Sequence, residues 1–170
     1  EQSLVQGCVN LGWGDVNVAQ ELGRRVGLPV KVENDANLAT LGEQWQGGGK
    51  GCRNLVMFTV GTGIGGGVIC DGRIVAGATG GGGEVGHLPM PFHNEWQCSC
   101  GKYGCLEVTA SATGIIRAAR EHAPFNEMET VTAKDVYDAA AAGDENARQV
   151  VDDAGSALGM AAAILGCVVN

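Results

Sequence analysis

The sequence predicts a mixed α/β domain, and three observations lead to that class. Apolar, strand-like segments come first and include a strong hairpin signal at Asp71-Gly72. Apolar residues at helical spacing dominate the chain after residue 108. Glycines cluster at 47–51, 61–67 and 77–86 without a regular period, so collagen is excluded. Strands followed by helices indicate an α/β domain, whose glycine-rich loops are typical of places where backbone approaches a ligand.

The individual elements follow from periodicity, caps and turn residues. Helices are predicted from an Asp15 cap to about Val26 and over 34–46, 109–122, 132–142 and 144–167. Strands are predicted over 29–32, 55–60, 66–70 and 73–76, and residues 77–106 form an irregular loop. Helical spacing is expected to turn apolar residues inward, namely Val18, Ala19, Leu22 and Val26 in the first helix and Leu38, Leu41 and Trp45 in the second.

Charge and cysteine usage narrow the functional classes. The chain has 170 residues, enough for one ordinary domain, and a formal net charge of −8. An acidic chain is poorly suited to nonspecific binding of nucleic acid or of an anionic membrane, so neither partner is expected. The seven cysteines are an odd number, and no signal peptide opens the sequence. A reducing, cytoplasmic location is therefore predicted.

One uncharged run, Ala154 to Asn170, requires a choice between two interpretations. It contains Gly155-x-x-x-Gly159, a spacing found where membrane helices pack together. However, the run is shorter than the roughly 20 residues that cross a bilayer, and Asp152 and Asp153 precede it. A buried core helix rich in small residues is the preferred interpretation.

Four residues form the ligand set of a metal site. His87, Cys98, Cys100 and Cys105 supply one imidazole and three thiolates, a complete tetrahedral shell for zinc. Soft ligands favour zinc over magnesium or calcium. With all four positions filled by protein, the ion would be structural. Free cysteines beside a chance histidine, or a disulfide, are the alternatives, and a cytosolic setting disfavours the disulfide.

The glycine run Gly61–Gly67 follows a predicted strand. It matches G-x-G-x-x-G, but the dinucleotide-binding motif requires a helix next, and here a hairpin follows. The Rossmann interpretation therefore fails. A glycine turn between two strands can still point backbone N–H groups and the Thr62 hydroxyl at a phosphate, and an ordinary β-turn is equally compatible with the motif.

Acidic and amide side chains provide a further candidate group. Glu33-Asn-Asp-Ala-Asn37 lies at the start of a predicted helix, where Asp35 is most simply an N-cap. Glu84 and Glu107 flank the metal-ligand segment. Carboxylates accept hydrogen bonds from sugar hydroxyls, and an asparagine amide both donates and accepts. Solvated surface charge is the simpler interpretation of the two glutamates.

The order of these motifs resembles that of the ROK family of sugar kinases, repressors and related proteins. The resemblance runs through Glu33–Asn37, Thr59–Gly67, Gly83–His87 and Cys98–Glu107 and covers essentially the whole chain. Asn10-Leu11-Gly12-Trp13 and Ser111-Ala-Thr-Gly114 look like the glucokinase branch in particular.

The resemblance implies an actin-like, hexokinase-like ATPase fold of the ribonuclease H-like class, in which two domains close over ATP and sugar. It implies that Asp35 is the general base on the attacking hydroxyl. The sugar-binding residues that it implies are Asn34, Asp35, Glu84, His87 and Glu107. Gly61, Thr62 and Gly63 would approach the ATP phosphates, and one ring nitrogen of His87 would bind zinc while the other faces the sugar.

The resemblance also implies an incomplete fold. Residues 1–34 correspond to the carboxy-terminal part of the small domain, and residues 35–170 to most of the large domain, with a zinc-binding loop at 84–107. The family's amino-terminal Asp-x-Gly-Gly-type phosphate loop and its adenosine-side glycine motif are not found in the sequence. The chain is thus expected to be a fragment, and a poor kinase alone, because it supplies one side of the phosphate clamp.

The implied activity is phosphorylation of glucose to glucose 6-phosphate by ATP with Mg²⁺. Polyphosphate, the donor for some relatives, stays open. Two alternatives also stay open: a ROK kinase for fructose, N-acetylmannosamine or allose, and a sugar-sensing ROK transcriptional repressor. A homodimer is expected because dimers are common in the family.

Overall fold

The computed structural model describes residues 4–5 and 12–170. Its strands are β1 (Leu4–Val5), β2 (Val16–Asn17), β3 (Leu55–Val60), β4 (Ile64–Cys70) and β5 (Arg73–Ile74). Its helices are α1 (Val18–Val26), α2 (Asp35–Gln46), α3 (Leu106–Ala110), α4 (Ala112–Ala119), α5 (Ala133–Ala142) and α6 (Glu145–Val169), with a short 3-10 turn at Val85–His87. The mixed α/β class is confirmed. The domain boundary at residue 34 stays a prediction.

The main sheet is an antiparallel meander in the order β3-β4-β5. Its first turn brings Val60 opposite Ile64, and its second joins β4 to β5 through Asp71-Gly72. Both turn residues have positive φ, 51° and 77°. That is the geometry for which Asp-Gly is favoured in a two-residue hairpin. The predicted hairpin is therefore confirmed, with β4 starting two residues earlier than expected and β5 ending at Ile74, two residues earlier than expected.

Helix α2 packs directly on β4 because the strand has no side chains in the way. A Cβ on Gly67 would overlap the Thr40 hydroxyl, and Gly65, on the same face of the strand, lies beside Ala36. Thr40 is fully buried, and its hydroxyl donates to the Ala36 carbonyl at 2.7 Å. This close contact fixes the amino-terminal end of α2 beside the turn between β3 and β4.

The helical part of the core surrounds α6. Its buried face consists largely of alanines, namely Ala147, Val150, Ala154, Ala157 and Ala161. Leu106 of α3, Ile115 of α4 and Val136 of α5 belong to the same cluster. Side chains this small allow helices to approach closely, and the Asp144 cap, which accepts from Ala147 N at 2.8 Å, begins the helix.

Of the part of the chain that the structure describes, α6 alone is long and apolar enough to cross a membrane, by length and composition. Such a helix is weak evidence for a span, since core helices of globular proteins share these properties. The alanine face packs into the core cluster, while Met160, Ile164 and Val168 are exposed. This packing agrees with the preferred interpretation of a core helix.

Several predictions about the amino-terminal part are wrong. Helix α1 is capped by Asn17, whose Oδ1 accepts from Gln20 N at 3.0 Å, and not by Asp15. Residues 29–32 form no strand, because no described strand pairs with them. None of the predicted inward face of α1 is buried. Asn10 and Leu11, which contributed to the resemblance, lie outside the described residues.

Two later predictions also need correction. In α2, Leu38 and Trp45 are 55% and 74% exposed, because the face that meets β4 is the one with Asn37 and Thr40. The single helix expected over 109–122 is two helices, since Ser111 adopts an extended backbone and caps α4 by accepting from Gly114 N at 3.0 Å. The other predicted helices agree with α5 and α6 to within two residues.

Candidate active site

An open cleft of about 770 Å³ lies between the start of α2 and the β3–β4 turn. Most of the predicted site residues outside the metal group line it: Asp35, Gly61, Thr62, Gly63, Glu84 and Glu107. The structure does not place Asn34 or His87 among its lining residues. Three carboxylates and a glycine turn thus share one cavity, and an amide and an imidazole lie outside its lining.

Two neighbouring residues at the amino-terminal end of α2 have different roles. Asn34 is the N-cap, and its Oδ1 accepts from the backbone N–H groups of Ala36 at 2.9 Å and Asn37 at 3.1 Å. The interpretation of Asp35 as the N-cap is therefore wrong. Asp35 is the first helical residue, is exposed to the cleft, and sits at the helix end whose dipole favours a carboxylate.

Glu33 and Asn37 brace this turn, a role that the sequence reasoning missed. Glu33 Oε1 accepts from Asn34 N at 3.0 Å and from Asn37 Nδ2 at 3.1 Å. The Asn34 N–H, followed by the Asn37 amide, lowers the pKa of Glu33. Asn37 is 1% exposed, and its Oδ1 has no hydrogen-bond partner among the described residues. The repeated acidic and amide residues of Glu33–Asn37 were the available signal.

The glycine turn between β3 and β4 is held from the side of α3. Glu107 Oε2 accepts from the backbone N–H of Ile64 at 3.0 Å. A Cβ on Gly63 would lie 2.5 Å from that carboxylate oxygen. A side chain at this position would push the end of the Glu107 side chain away from Ile64 N.

The α3–α4 corner holds the same turn at two further points. The Thr113 hydroxyl donates to the Thr62 carbonyl at 2.8 Å, and Ala112 N donates to the Gly61 carbonyl at 2.9 Å. The sequence reasoning noted the Ser111–Gly114 segment but gave Thr113 no role. The three bonds together fix the backbone of the turn relative to Glu107.

The four predicted metal ligands converge. His87, Cys98, Cys100 and Cys105 bring their ligand atoms within 4.8 Å of one another. The Sγ atoms of Cys100 and Cys105 are 3.7 Å apart, and His87 Nδ1 is 3.5 Å from Cys98 Sγ. Zn–S bonds of about 2.3 Å in a tetrahedron place two sulfurs about 3.8 Å apart. The three cysteines are free, so the disulfide alternative is wrong and the residues fit a zinc ion.

The thiols of this cluster differ in their protonation. Burial, followed by the neighbouring thiols, raises the pKa of Cys105 to about 12. Cys100 is exposed, and the backbone N–H of Lys102 lowers its pKa. A metal ion would have to displace the proton from Cys105, because thiolates are the ligands that zinc binds.

Glu107 connects the metal cluster to the glycine turn. While Oε2 accepts from Ile64, Oε1 faces the Ser99 hydroxyl at 3.5 Å and Cys98 Sγ at 3.6 Å. A single carboxylate therefore spans the two loops. Its backbone is fixed in α3, immediately after Cys105 and Leu106, which are both fully buried.

The arrangement of sheet, helices and cleft is that of the hexokinase-like sugar kinases, whose actin-like ATPase fold this chain shares. It superposes on a ROK hexokinase from Thermus thermophilus with a TM-score of 0.81 at 36% identity, covering 89% of this chain and 49% of that one. A ROK family glucokinase from Streptomyces griseus, solved with glucose and AMPPNP, gives 0.74 at 31% identity, covering 92% and 54%.

Sequence similarity agrees with this class. A glucokinase of Halalkalibacterium halodurans is 41% identical over 180 residues, which is 100% of this chain and 54% of that protein. A xylose repressor of Caldicellulosiruptor bescii is 30% identical over 170 residues, or 95% of this chain and 42% of that protein. Residues 1–170 match the ROK family, and the chain belongs to it. It spans about half the length of these relatives.

Proposed function

We propose that the protein containing this chain transfers a phosphoryl group from ATP to the 6-hydroxyl of glucose. The observation that carries the proposal is the single cleft shared by Asp35, Glu84, Glu107 and the glycine turn. It combines acceptors for sugar hydroxyls with a backbone turn suited to phosphate. The similarity to glucokinases, one of them solved with glucose and a nucleotide analogue, supports the same reaction.

Asp35 is the proposed general base. It is exposed to the cleft, and Asn34 is the N-cap, although Asp35 Oδ1 also accepts from the backbone N–H of Ala36 at 2.9 Å. Phosphoryl transfer depends mainly on positioning and on neutralising charge, and the base accepts the proton of the attacking hydroxyl. The Asn34 side-chain oxygen serves the cap, so its amide N–H groups are left to donate to the sugar.

The remaining groups hold the two substrates. Glu84 and Glu107 would accept hydrogen bonds from the sugar hydroxyls, and His87, outside the cleft lining, would contact the sugar through one ring nitrogen. Gly61, Thr62 and Gly63 would face the phosphates with their Mg²⁺. His87, Cys98, Cys100 and Cys105 would hold a structural zinc ion that fixes the loop over 84–107. Because His87 Nδ1 faces Cys98, its Nε2 is the ring nitrogen left for the sugar. A cytoplasmic homodimer, with no nucleic acid or membrane as partner, completes the proposal.

Two alternatives stay open. A kinase for another hexose, such as fructose, N-acetylmannosamine or allose, would use the same base and turn. A sugar-sensing repressor is supported by the similarity to the xylose repressor. A repressor needs no base, however, and the exposed Asp35 beside the phosphate turn favours catalysis.

The test is an assay of the complete protein with ATP and a panel of hexoses, with contaminating kinases excluded. We expect glucose to give a kcat/KM at least about tenfold above that of mannose, fructose or an N-acetyl sugar, a difference of about 1.4 kcal/mol. A tenfold preference for another sugar would reject glucose. Sugar binding without turnover, together with specific DNA binding, would favour the repressor. The 170-residue chain alone should be a poor kinase.

A further inference from the structure

Arg117 in the last turn of α4 is fixed by an aromatic stack. Its guanidinium carbon lies 4.1 Å from the centre of the Trp96 ring. The His93 ring stacks parallel on the same tryptophan, with ring centres 3.9 Å apart and an interplanar angle of 8°. Trp96 is 4% exposed and belongs to the core cluster, so this base is rigid. A guanidinium that stacks through its face keeps the N–H donors of its edge available.

The stacked arginine lines a second cavity, of about 360 Å³, beside the cleft. Thr62, Gly63 and Glu107 line both cavities, so the glycine turn and its carboxylate form the boundary between them. Arg117 is the cationic residue of the smaller cavity. Among the residues that the structure describes, no carboxylate pairs with it and no hydrogen bond uses its donors.

Among the other side chains that line the small cavity, all polar groups except the neutral Thr62 hydroxyl already have partners. The hydroxyl of Thr113 donates to Thr62, and that of Ser111 accepts from Gly114 N. The Ser99 hydroxyl faces Glu107, and the Gln97 amide donates to the Gly101 carbonyl at 3.4 Å. Recognition of a ligand in this cavity would therefore depend on the free edge of Arg117, a geometry that suits a phosphate or carboxylate.

Charge differs between the two sides of the glycine turn. The cleft side has the carboxylates of Asp35 and Glu84, while the smaller cavity has the guanidinium of Arg117. Glu107 lines both sides, so a chain of phosphates lying against Thr62 and Gly63 would meet three carboxylates in the cleft but one carboxylate and one guanidinium in the smaller cavity. The smaller cavity is therefore the more favourable side for the phosphates. The phosphate next to the sugar can then meet the base, while the phosphates behind it extend toward Arg117.

We propose that the small cavity is a subsite for the phosphate chain of the phosphoryl donor, with Arg117 as the residue that binds it. The inference rests on the proposed kinase function and adds the donor side of the site. A nucleoside triphosphate and an inorganic polyphosphate both contain a chain of phosphates, and Arg117 would bind that shared part of either donor.

The test compares the complete protein with its Arg117→Gln, Arg117→Lys and Arg73→Gln variants. Arg73 lies exposed on β5, away from both cavities, and serves as the control for loss of one positive charge. Calorimetry measures the Kd of inorganic tripolyphosphate, ATP and adenosine, each with Mg²⁺. Arg117→Gln should weaken tripolyphosphate and ATP about tenfold, the effect of one lost charge-assisted hydrogen bond, and leave adenosine unchanged. Arg117→Lys should retain part of the binding, and Arg73→Gln all of it.

Steady-state kinetics provide the second measurement. The KM for the donor should rise about tenfold in Arg117→Gln, while the KM for glucose stays unchanged. The relative loss for ATP and for tripolyphosphate as donors shows which of the two depends more on Arg117. Unchanged tripolyphosphate binding, an equal loss for adenosine, or a selective rise in the KM for glucose would each overturn the proposal. Equal losses in Arg117→Gln and Arg73→Gln would also overturn it.

The proposal and the proposed function fail separately. Tripolyphosphate binding is measured without sugar and without turnover, so it does not require the protein to be a glucokinase. If no hexose is phosphorylated but tripolyphosphate binding still depends on Arg117, the subsite stands and the kinase function falls. Arg117→Lys also covers the case in which Arg117→Gln unfolds. It keeps a positive charge but loses the planar set of N–H donors, so a partial loss of tripolyphosphate binding is still expected.

Discussion

At the scale of single residues, the most informative pair is Asn34 and Asp35. Asn34 satisfies two backbone N–H groups at the start of α2, and Asp35 faces the cleft. Glu33 supports the pair from behind through Asn34 N and the Asn37 amide. The separation of the two roles means that a change at residue 35 can alter the chemistry without removing the helix cap.

Asp35→Asn should therefore abolish most turnover while sparing the fold. An amide cannot accept the proton of the sugar hydroxyl, and the expected loss in kcat is about 10²–10⁴, or about 3–5 kcal/mol. The measurement pairs kcat with the melting temperature of the complete protein. Asp144→Asn, the same substitution at the N-cap of α6 and outside the cleft lining, is the matched control and should leave kcat unchanged. A kcat near that of the wild type in Asp35→Asn would show that another group is the base.

The cap shows where sequence reasoning reached its limit. Asn and Asp are about equally good N-caps, so the motif predicted a capped helix at 34–35 but not which of the two residues caps it. The difference depends on the backbone: Asn34 is extended, with φ −61° and ψ 141°, and Asp35 is already helical. The ligand set of His87, Cys98, Cys100 and Cys105 was easier, since residue type and spacing alone predicted its convergence.

At the scale of elements, the corner between α3 and α4 determines the shape of the glycine turn. It was predicted as continuous helix because the apolar spacing continues through it, and periodicity does not register a serine that caps a new helix. The break at Ser111 places Ala112 N and the Thr113 hydroxyl against the carbonyl groups of Gly61 and Thr62. An uninterrupted helix would not present both donors to the turn.

Thr113→Val should loosen this turn and raise the KM for the phosphoryl donor about fivefold, as expected for the loss of one hydrogen bond worth about 1 kcal/mol. The KM for glucose should change less. Thr113→Ser restores the hydroxyl and should restore donor binding. Thr130→Val, at an exposed threonine outside the site, is the control. A fall in melting temperature with an unchanged donor KM would mean that Thr113 has only a structural role.

The exposed side of α2 shows a second limit of sequence-based prediction: helical spacing did not reveal which face of the helix is buried. Leu38 and Trp45 repeat at the interval of a buried face, but they are exposed. The helix packs on β4 through Ala36 and Thr40, which lie beside Gly65 and Gly67. Periodicity identifies which residues share a face. How closely that face packs depends on the partner strand, here on the absence of side chains at the glycines of β4.

At the scale of the whole molecule, the metal cluster joins segments that are otherwise irregular. It links the 3-10 turn at Val85–His87 to the loop over 98–105 and to the start of α3. Glu107 then connects this unit to the glycine turn. The chain spans about half the length of these relatives. In the proposed kinase, the rest of the complete protein would supply the other side of the phosphate clamp.

The complete protein should contain one zinc ion per chain, measured by elemental analysis. Removal by a chelator should lower the melting temperature by at least about 5 °C, because a structural ion contributes directly to folding. Cys105→Ser should lose the metal, whereas Cys52→Ser, at an exposed free cysteine, should keep it. Metal-free protein with an unchanged melting temperature and intact sugar binding would contradict the assignment.

The close contact between α2 and β4 fixes the Asp35 end of the helix relative to the turn after β3. Thr40 lies so close to the backbone of Gly67 that a Cβ there would overlap it, and Ala36 lies beside Gly65 at a looser distance. The carboxylate of Asp35 and the turn after β3 are therefore carried on one rigid body. Any hinge motion that closes the complete protein over its substrates must move these two groups together. Closure can bring substrates to the base and turn, but it cannot adjust the spacing between them.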